Sequence, residues 1–180
     1  MRIWLKVWDY FLSCLTLIKY KLIYRDRFEF KWSDRVKPSL KIRIDSKGKL
    51  VFGDRVSLRE HVIINITGGT ILLGNDVFFN DMVCINSRDN ICIGASTIVG
   101  QGVKFYDHDH DYRNDLRNDF RCNPISVKEY VWIGAGAILL KGSTIGAHSV
   151  IGAGTLVNTD VPTEAVYVNH REKNIFLIHK

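Results

Sequence analysis

Residues Phe105 to Tyr112 read FYDHDHDY, which sets His108 and His110 among Asp107, Asp109 and Asp111. These residue types allow three kinds of site. An imidazole, with an ordinary pKa of about 6.5, can accept a proton at neutral pH. A carboxylate or carbonyl on its other ring nitrogen would then fix the tautomer. Alternatively, His108 and His110 could join a third imidazole such as His61 around zinc. In the third case the segment is only a polar surface loop. If it is extended, alternation turns His108 and His110 to one side, and the three aspartates are not all expected to face the site.

The elements that hold this segment are visible as a repeat. Ile133, Leu139, Ile145, Ile151 and Val157 recur with a period of six, and Ala137, Ser143, Ser149, Thr155 and Val161 follow each of them by four. Gly134, Gly146 and Gly152 come directly after an aliphatic. A helix with about 3.6 residues per turn cannot keep a six-residue period on one face, whereas a solenoid of short strands can. The aliphatics point inward, and the glycines are expected to permit tight turns. The same beat runs through Phe52 and Leu58 and through Leu73, Phe79, Ile85 and Ile91, then resumes two residues out of step at Ile93, Val99 and Phe105. It breaks after Phe105 and returns near Ile125. A loop thrown out of a regular solenoid is a natural place for function.

The first 25 residues follow another period. Trp4, Trp8, Phe11, Leu15, Ile18 and Leu22 fall at steps of four and three, beside a second row of Ile3, Val7, Tyr10, Cys14 and Leu17. Lys6, Asp9, Ser13, Thr16 and Tyr20 line the opposite side. This predicts an amphipathic helix whose apolar face packs on the main domain, on a partner subunit, or in a membrane interface. It lacks the clean apolar stretch and small-residue cleavage site of a signal peptide.

The 180 residues suffice for one domain with a sizeable core. With 46% hydrophobic and 24% charged residues the chain is globular rather than disordered. A net charge of +6 and a pI near 9.2 suit anionic partners. Cys14, Cys84, Cys92 and Cys122 form no C-x-x-C pair, which favours a reducing compartment. Apolar runs fall short of the roughly 20 residues that span a bilayer.

The repeat, together with VGQGVKFYDHDH, NPISV and VWIG, resembles the hexapeptide-repeat acyltransferases. Within them it is most similar to the galactoside, maltose and capsular or colanic-acid O-acetyltransferases. The resemblance covers about residues 40 to 170 and implies an all-β fold, a left-handed parallel β-helix, preceded here by the amphipathic helix. The expected organisation is the helix over 1–25, a linker over 26–39, the catalytic β-helix over 40–166 with an excursion at 106–124, and a tail over 167–180. Counting from Val99, the family register makes His110 the general base, with Asp107, His108 and Asp109 as supports. The resemblance also implies acetyl-CoA as donor substrate and a homotrimer, with the donor lying between neighbouring β-helices near Trp132, Ala135, Ala153 and Lys141. Asn80, Asn86 and Tyr112 are the acceptor candidates. No resident metal, nucleophilic Cys or Ser, or nucleic-acid partner is expected. A sugar or lipid-linked glycan acceptor in cell-surface polysaccharide synthesis fits, as does a cytoplasmic enzyme at the inner membrane face. Two alternatives stay open: a zinc hydrolyase like the γ-carbonic anhydrases, which share the fold, and a non-catalytic scaffold. One departure stands out: Val168 and His170 replace the Gly and Pro with which the family usually ends its last coil, beside the adenine.

Overall fold

Side chains at the six-residue positions do turn inward, and stacking them builds the domain. A computed structural model describes residues 2–45 and 47–169 as a parallel β-solenoid. Its three faces are parallel sheets of six, seven and six strands, each strand pairing with its equivalent one coil earlier and one coil later. One face carries Lys49–Phe52, Thr70–Leu73, Asn90–Ile93 and Ile125–Val127; a second carries Phe78–Phe79, Ile98–Val99 and Trp132–Ile133; the third carries Ile63–Ile66, Cys84–Ser87, Lys104–Tyr106 and Ile138–Leu140. Ile133, Leu139, Ile145 and Ile151 are fully buried, as are their followers Ala137 and Ser143. Each such aliphatic contributes about 1.5–3 kcal/mol relative to exposure, so the column of stacked side chains is the core.

The slips in phase have one origin. At the corner between the third and first faces the early strands are two residues longer, adding an inward position: Ile44, Ile66 and Ser87 lie in register there. Tyr106 pairs with Asn86, so Asp107 takes the next place in that column and is completely buried. After Tyr106 the chain leaves the solenoid as an antiparallel hairpin, His108–His110 against Phe120–Cys122, and rejoins at Ile125.

The glycines act differently from the expectation. Gly134 has no positive φ; a Cβ there would sit 2.6 Å from the Ala153 nitrogen, so the next coil's backbone needs the space. The left-handed conformation falls two residues later, at Gly136 (φ 69°), and at the matching corners at His148, Ser96 and Tyr130.

A helix, α1 (Arg2–Tyr24), closes the N-terminal end. Among the described residues of its two apolar rows, only Leu17 is fully buried against the domain. The side facing the solenoid holds Ser13, Thr16, Leu17 and Tyr20, all buried. The first coil has no strand beneath it, so its edge needs hydrogen-bond partners. The helix supplies them: Ser13 Oγ accepts from the Val36 amide at 2.8 Å, Tyr20 donates to the Leu40 carbonyl at 2.7 Å, and Tyr24 donates to the Ile42 carbonyl at 3.0 Å. Trp4, Trp8, Phe11, Leu15 and Leu22 are left exposed.

The expected linker, 26–39, is also corrected. Phe28–Glu29 and Arg35–Val36 pair with the strands at 49–52 and 57–58, so this stretch begins the first coil. At the other end, Val166–Tyr167 still belongs to the solenoid, and residues 170–180 of the expected tail, His170 included, lie outside the described residues.

Candidate active site

The extra corner position is what makes the site. Asp107 cannot leave the core without breaking the column, and its carboxylate is fully bonded there. It accepts from Ser87 Oγ at 2.7 Å, from the Arg88 amide at 2.8 Å and from the Asp89 amide at 2.9 Å. The fourth partner is His108 Nδ1, 2.8 Å away. Burial pushes the Asp107 carboxyl up, but His108, Ser87 and the two amides outweigh it and hold the group below the usual carboxylate range. Asp107 is therefore an acceptor, His108 Nδ1 must donate, and Nε2 is the nitrogen left for chemistry.

His110 is exposed, with no hydrogen-bond partner for its ring among the described residues; its ring packs against Phe120 at 4.5 Å between centroids. Phe120 also meets His108 edge-on at 5.6 Å and carries the Arg88 guanidinium 3.3 Å from its centroid. Together they frame an open groove of about 480 Å³ between the third face and the hairpin, with Asn65, Asn86 and Tyr106 as its floor. Asn65 Nδ2 donates to Asn86 Oδ1 at 2.9 Å, so the two amides act as one fixed polar strip. A larger groove, about 640 Å³, lies between α1 and the first coils, away from the histidines.

The structure divides the candidates named from sequence. His108, His110 and Asn86 share the groove. Asp107 touches it only through His108, so it does not orient His110. Asp109 points to Lys141, whose Nζ lies 2.5 Å from Oδ2 and ties the hairpin to the next coil. Lys141, a donor-site candidate, thus has an intramolecular ion-pair partner. Asp111 accepts from the Arg113 amide, Asn114 and Arg121, bracing the hairpin. Tyr112 is 71% exposed and does not line the groove.

Ala135 and Ala153 stack on another corner, where Gly100 and Gly134 let successive coils approach. Asn80 stands one coil before Gly100 in the glycine column of this corner; its side-chain oxygen accepts from the Asp81 amide. Trp132 stands half exposed on the second face, in register with Ile98 and Val150. The alanine corner and the histidine corner are at opposite ends of the third-face strands, about five residues or about 16 Å apart. One chain alone does not join them. At the tail, Asn169 bonds both the amide and the carbonyl of Leu156, capping the last strand edge.

His61 sits on an earlier corner with φ 59° and is absent from the groove. Among the described residues no three His, Cys, Asp or Glu side chains converge as metal ligands. The Cys122 thiol, opposite His108 in the hairpin, is pushed up by burial and then by the Asp107 carboxylate, the reverse of an activated nucleophile.

Six groove residues escaped the sequence reading: Asn65, Thr67, Ser87, Arg88, Tyr106 and Phe120. Arg88 was signalled by the two-residue slip, which marks an extended corner. Phe120 had no signal, because its place depends on how the excursion folds back.

Residues 124–159 match the family described as bacterial transferase hexapeptide (six repeats). A galactoside O-acetyltransferase of Lactococcus lactis is 28% identical over 140 residues, 77% of this chain and 68% of that protein. WbbJ of Escherichia coli, assigned to lipopolysaccharide biosynthesis as an O-acetyl transferase, is 26% identical over 136 residues, 68% of this chain and 69% of that protein. Other curated relatives are matched over about half their length. Among solved structures, a hexapeptide-repeat acetyltransferase of Vibrio cholerae complexed with acetyl coenzyme A superposes with a TM-score of 0.54 at 26% identity, covering 83% of this chain and 70% of that one. The period, the three-faced solenoid and these similarities agree: the chain carries the bacterial transferase hexapeptide repeat and is similar to the galactoside O-acetyltransferases.

Proposed function

We propose that the protein moves acetyl from acetyl-CoA to a sugar hydroxyl, in the building of a cell-surface glycan, with His110 as general base. Imidazole removes the hydroxyl proton as the oxygen attacks the thioester carbonyl. The oxyanion collapses to the new ester, and CoA leaves as thiolate and takes the proton back from the imidazolium. No covalent enzyme intermediate is needed, and positioned backbone N–H groups would stabilise the oxyanion. The observation that carries this reading is the pair of imidazoles over the polar strip of Asn65 and Asn86 in an open groove. Fixed amides suit a polyol, and Phe120 offers an apolar ring face beside them.

The donor side supports an assembly. The alanine corner and the histidine groove lie too far apart in one chain, so a neighbouring copy would bring its corner to this groove, as in a homotrimer. The relation to WbbJ supports a glycan acceptor. Steady-state assays of thiol release from acetyl-CoA with simple galactosides and with lipid-linked glycans test the proposal. Turnover that requires a hydroxylated sugar supports it, and acceptor-independent hydrolysis alone would exclude it.

A second reading rests on one observation: of the two imidazoles, His108 is the one held by a buried carboxylate. His108 would then be the base and His110 an acceptor contact.

A further inference from the structure

The side of α1 turned away from the solenoid holds Trp4, Trp8, Phe11, Leu15 and Leu22, from 48% to 79% exposed. On a helical projection these five span one continuous stripe, with exposed Lys19 on one edge, and exposed Arg25 follows in the turn just past the helix end. Asp9, the single acid of residues 1–25, lies on the opposite side and pairs with Lys37 at 3.2 Å. Trp32, 60% exposed, extends the apolar surface at the groove lined by Ile18 and Leu22.

Three facts narrow what covers this stripe. First, the helix has already met the needs of the first coil through its polar side, so the chain itself has no further use for the apolar one. Second, α1 lies across the end of the solenoid, where it can meet a flat surface along its length. Third, charge is concentrated at that end. Residues 1–49 hold thirteen of the 25 Lys and Arg but five of the 19 Asp and Glu, a net +8, while residues 50–180 carry a net −2. A second copy docked stripe to stripe would bring two such ends together against their repulsion. An anionic lipid surface is attracted by the same charge, and Trp beside Lys and Arg is the composition favoured at the lipid–water boundary. No described helix is long and apolar enough to cross a membrane, so the contact is interfacial.

We propose that α1 seats the N-terminal end of the solenoid on an anionic membrane, with Trp4, Trp8, Phe11, Leu15 and Leu22 entering the headgroup boundary and Lys19 and Arg25 meeting lipid phosphates. This does not depend on the acetyl-transfer reading, because it can be measured without substrate.

The test is co-sedimentation of the full chain with vesicles of phosphatidylcholine alone and of phosphatidylcholine with phosphatidylglycerol. Partitioning at least about tenfold stronger onto the anionic vesicles, with a blue shift in tryptophan emission, is expected. Trp4→Ser with Trp8→Ser should lower partitioning about tenfold or more while leaving the unfolding midpoint unchanged, since both side chains are exposed. Lys19→Glu with Arg25→Glu should remove the preference for anionic vesicles. Three results would overturn the proposal: no binding to either vesicle at low salt, equal binding by the Trp4→Ser, Trp8→Ser variant, or self-association abolished by that variant with no vesicle binding, which would assign the stripe to a second copy.

Discussion

The Asp107 carboxylate lies 2.8 Å from His108 Nδ1 and is itself sealed in the core by Ser87 and the Arg88 and Asp89 amides. This makes two histidines that look equivalent in FYDHDHDY unequal. One is locked in tautomer and orientation by the core; the other rests on a ring at the surface. Asp107→Asn keeps the volume but replaces an oxygen acceptor by an NH₂ donor, which then faces two amides and a hydroxyl. The variant should lose about 1–3 kcal/mol of stability, because buried groups are left unpaired. Urea unfolding measures it, and a loss within about 0.5 kcal/mol would mean the network is not formed as described.

The same carboxylate has a pH signature. Its folded pKa is depressed relative to the unfolded value of about 3.9. The unfolded chain therefore binds the proton first, and the contribution is fully present above that value. It is lost as pH falls through the lower folded pKa. Urea midpoints collected from about pH 5 to about pH 2 should fall more steeply for the native chain than for Asp107→Asn. Parallel curves would contradict the depressed pKa.

Gly134 and Gly102 separate two uses of glycine. A Cβ at Gly134 would stand 2.6 Å from the Ala153 nitrogen and 2.9 Å from its Cα, and backbone cannot step aside cheaply. At Gly102 a Cβ meets nothing within 4 Å, and only the φ of +70° resists it. Gly134→Ala is expected to cost more than about 2 kcal/mol, and Gly102→Ala about 1–2 kcal/mol. Thermal unfolding should rank them in that order, and the reverse order would mean that the coils separate more easily than their spacing implies.

The solenoid was legible because a six-residue period repeats through most of the chain, and its inward positions are set by that spacing alone. The phase slips at Ile91 and Ile93 were legible too, although their meaning was not. They mark the longer corner whose third inward residue is Asp107. What escaped the sequence depends on packing between parts without a shared period. The row Ser13, Thr16 and Tyr20 reads as a solvent face by polarity, yet the unpaired edge of the first coil needs hydrogen-bond partners more than it needs apolar contact. Phe120 is twelve residues from His108 along an irregular loop, and only the hairpin register brings the rings together.

The two histidines can be told apart by kinetics. With His110 as base, His110→Ala should lower kcat about 10²–10⁴-fold while the KM for acetyl-CoA stays near its original value. His108→Ala should act mainly on the acceptor, raising its KM. Asp107→Asn supplies an independent reading. It removes the acceptor that fixes the tautomer of His108, and Asp107 makes no bond to the His110 ring. If His110 is the base, kcat in that variant should stay within about threefold of the native value. A kcat loss of about 10²-fold or more in Asp107→Asn, together with the larger kcat loss in His108→Ala, would transfer the role to the imidazole that Asp107 holds.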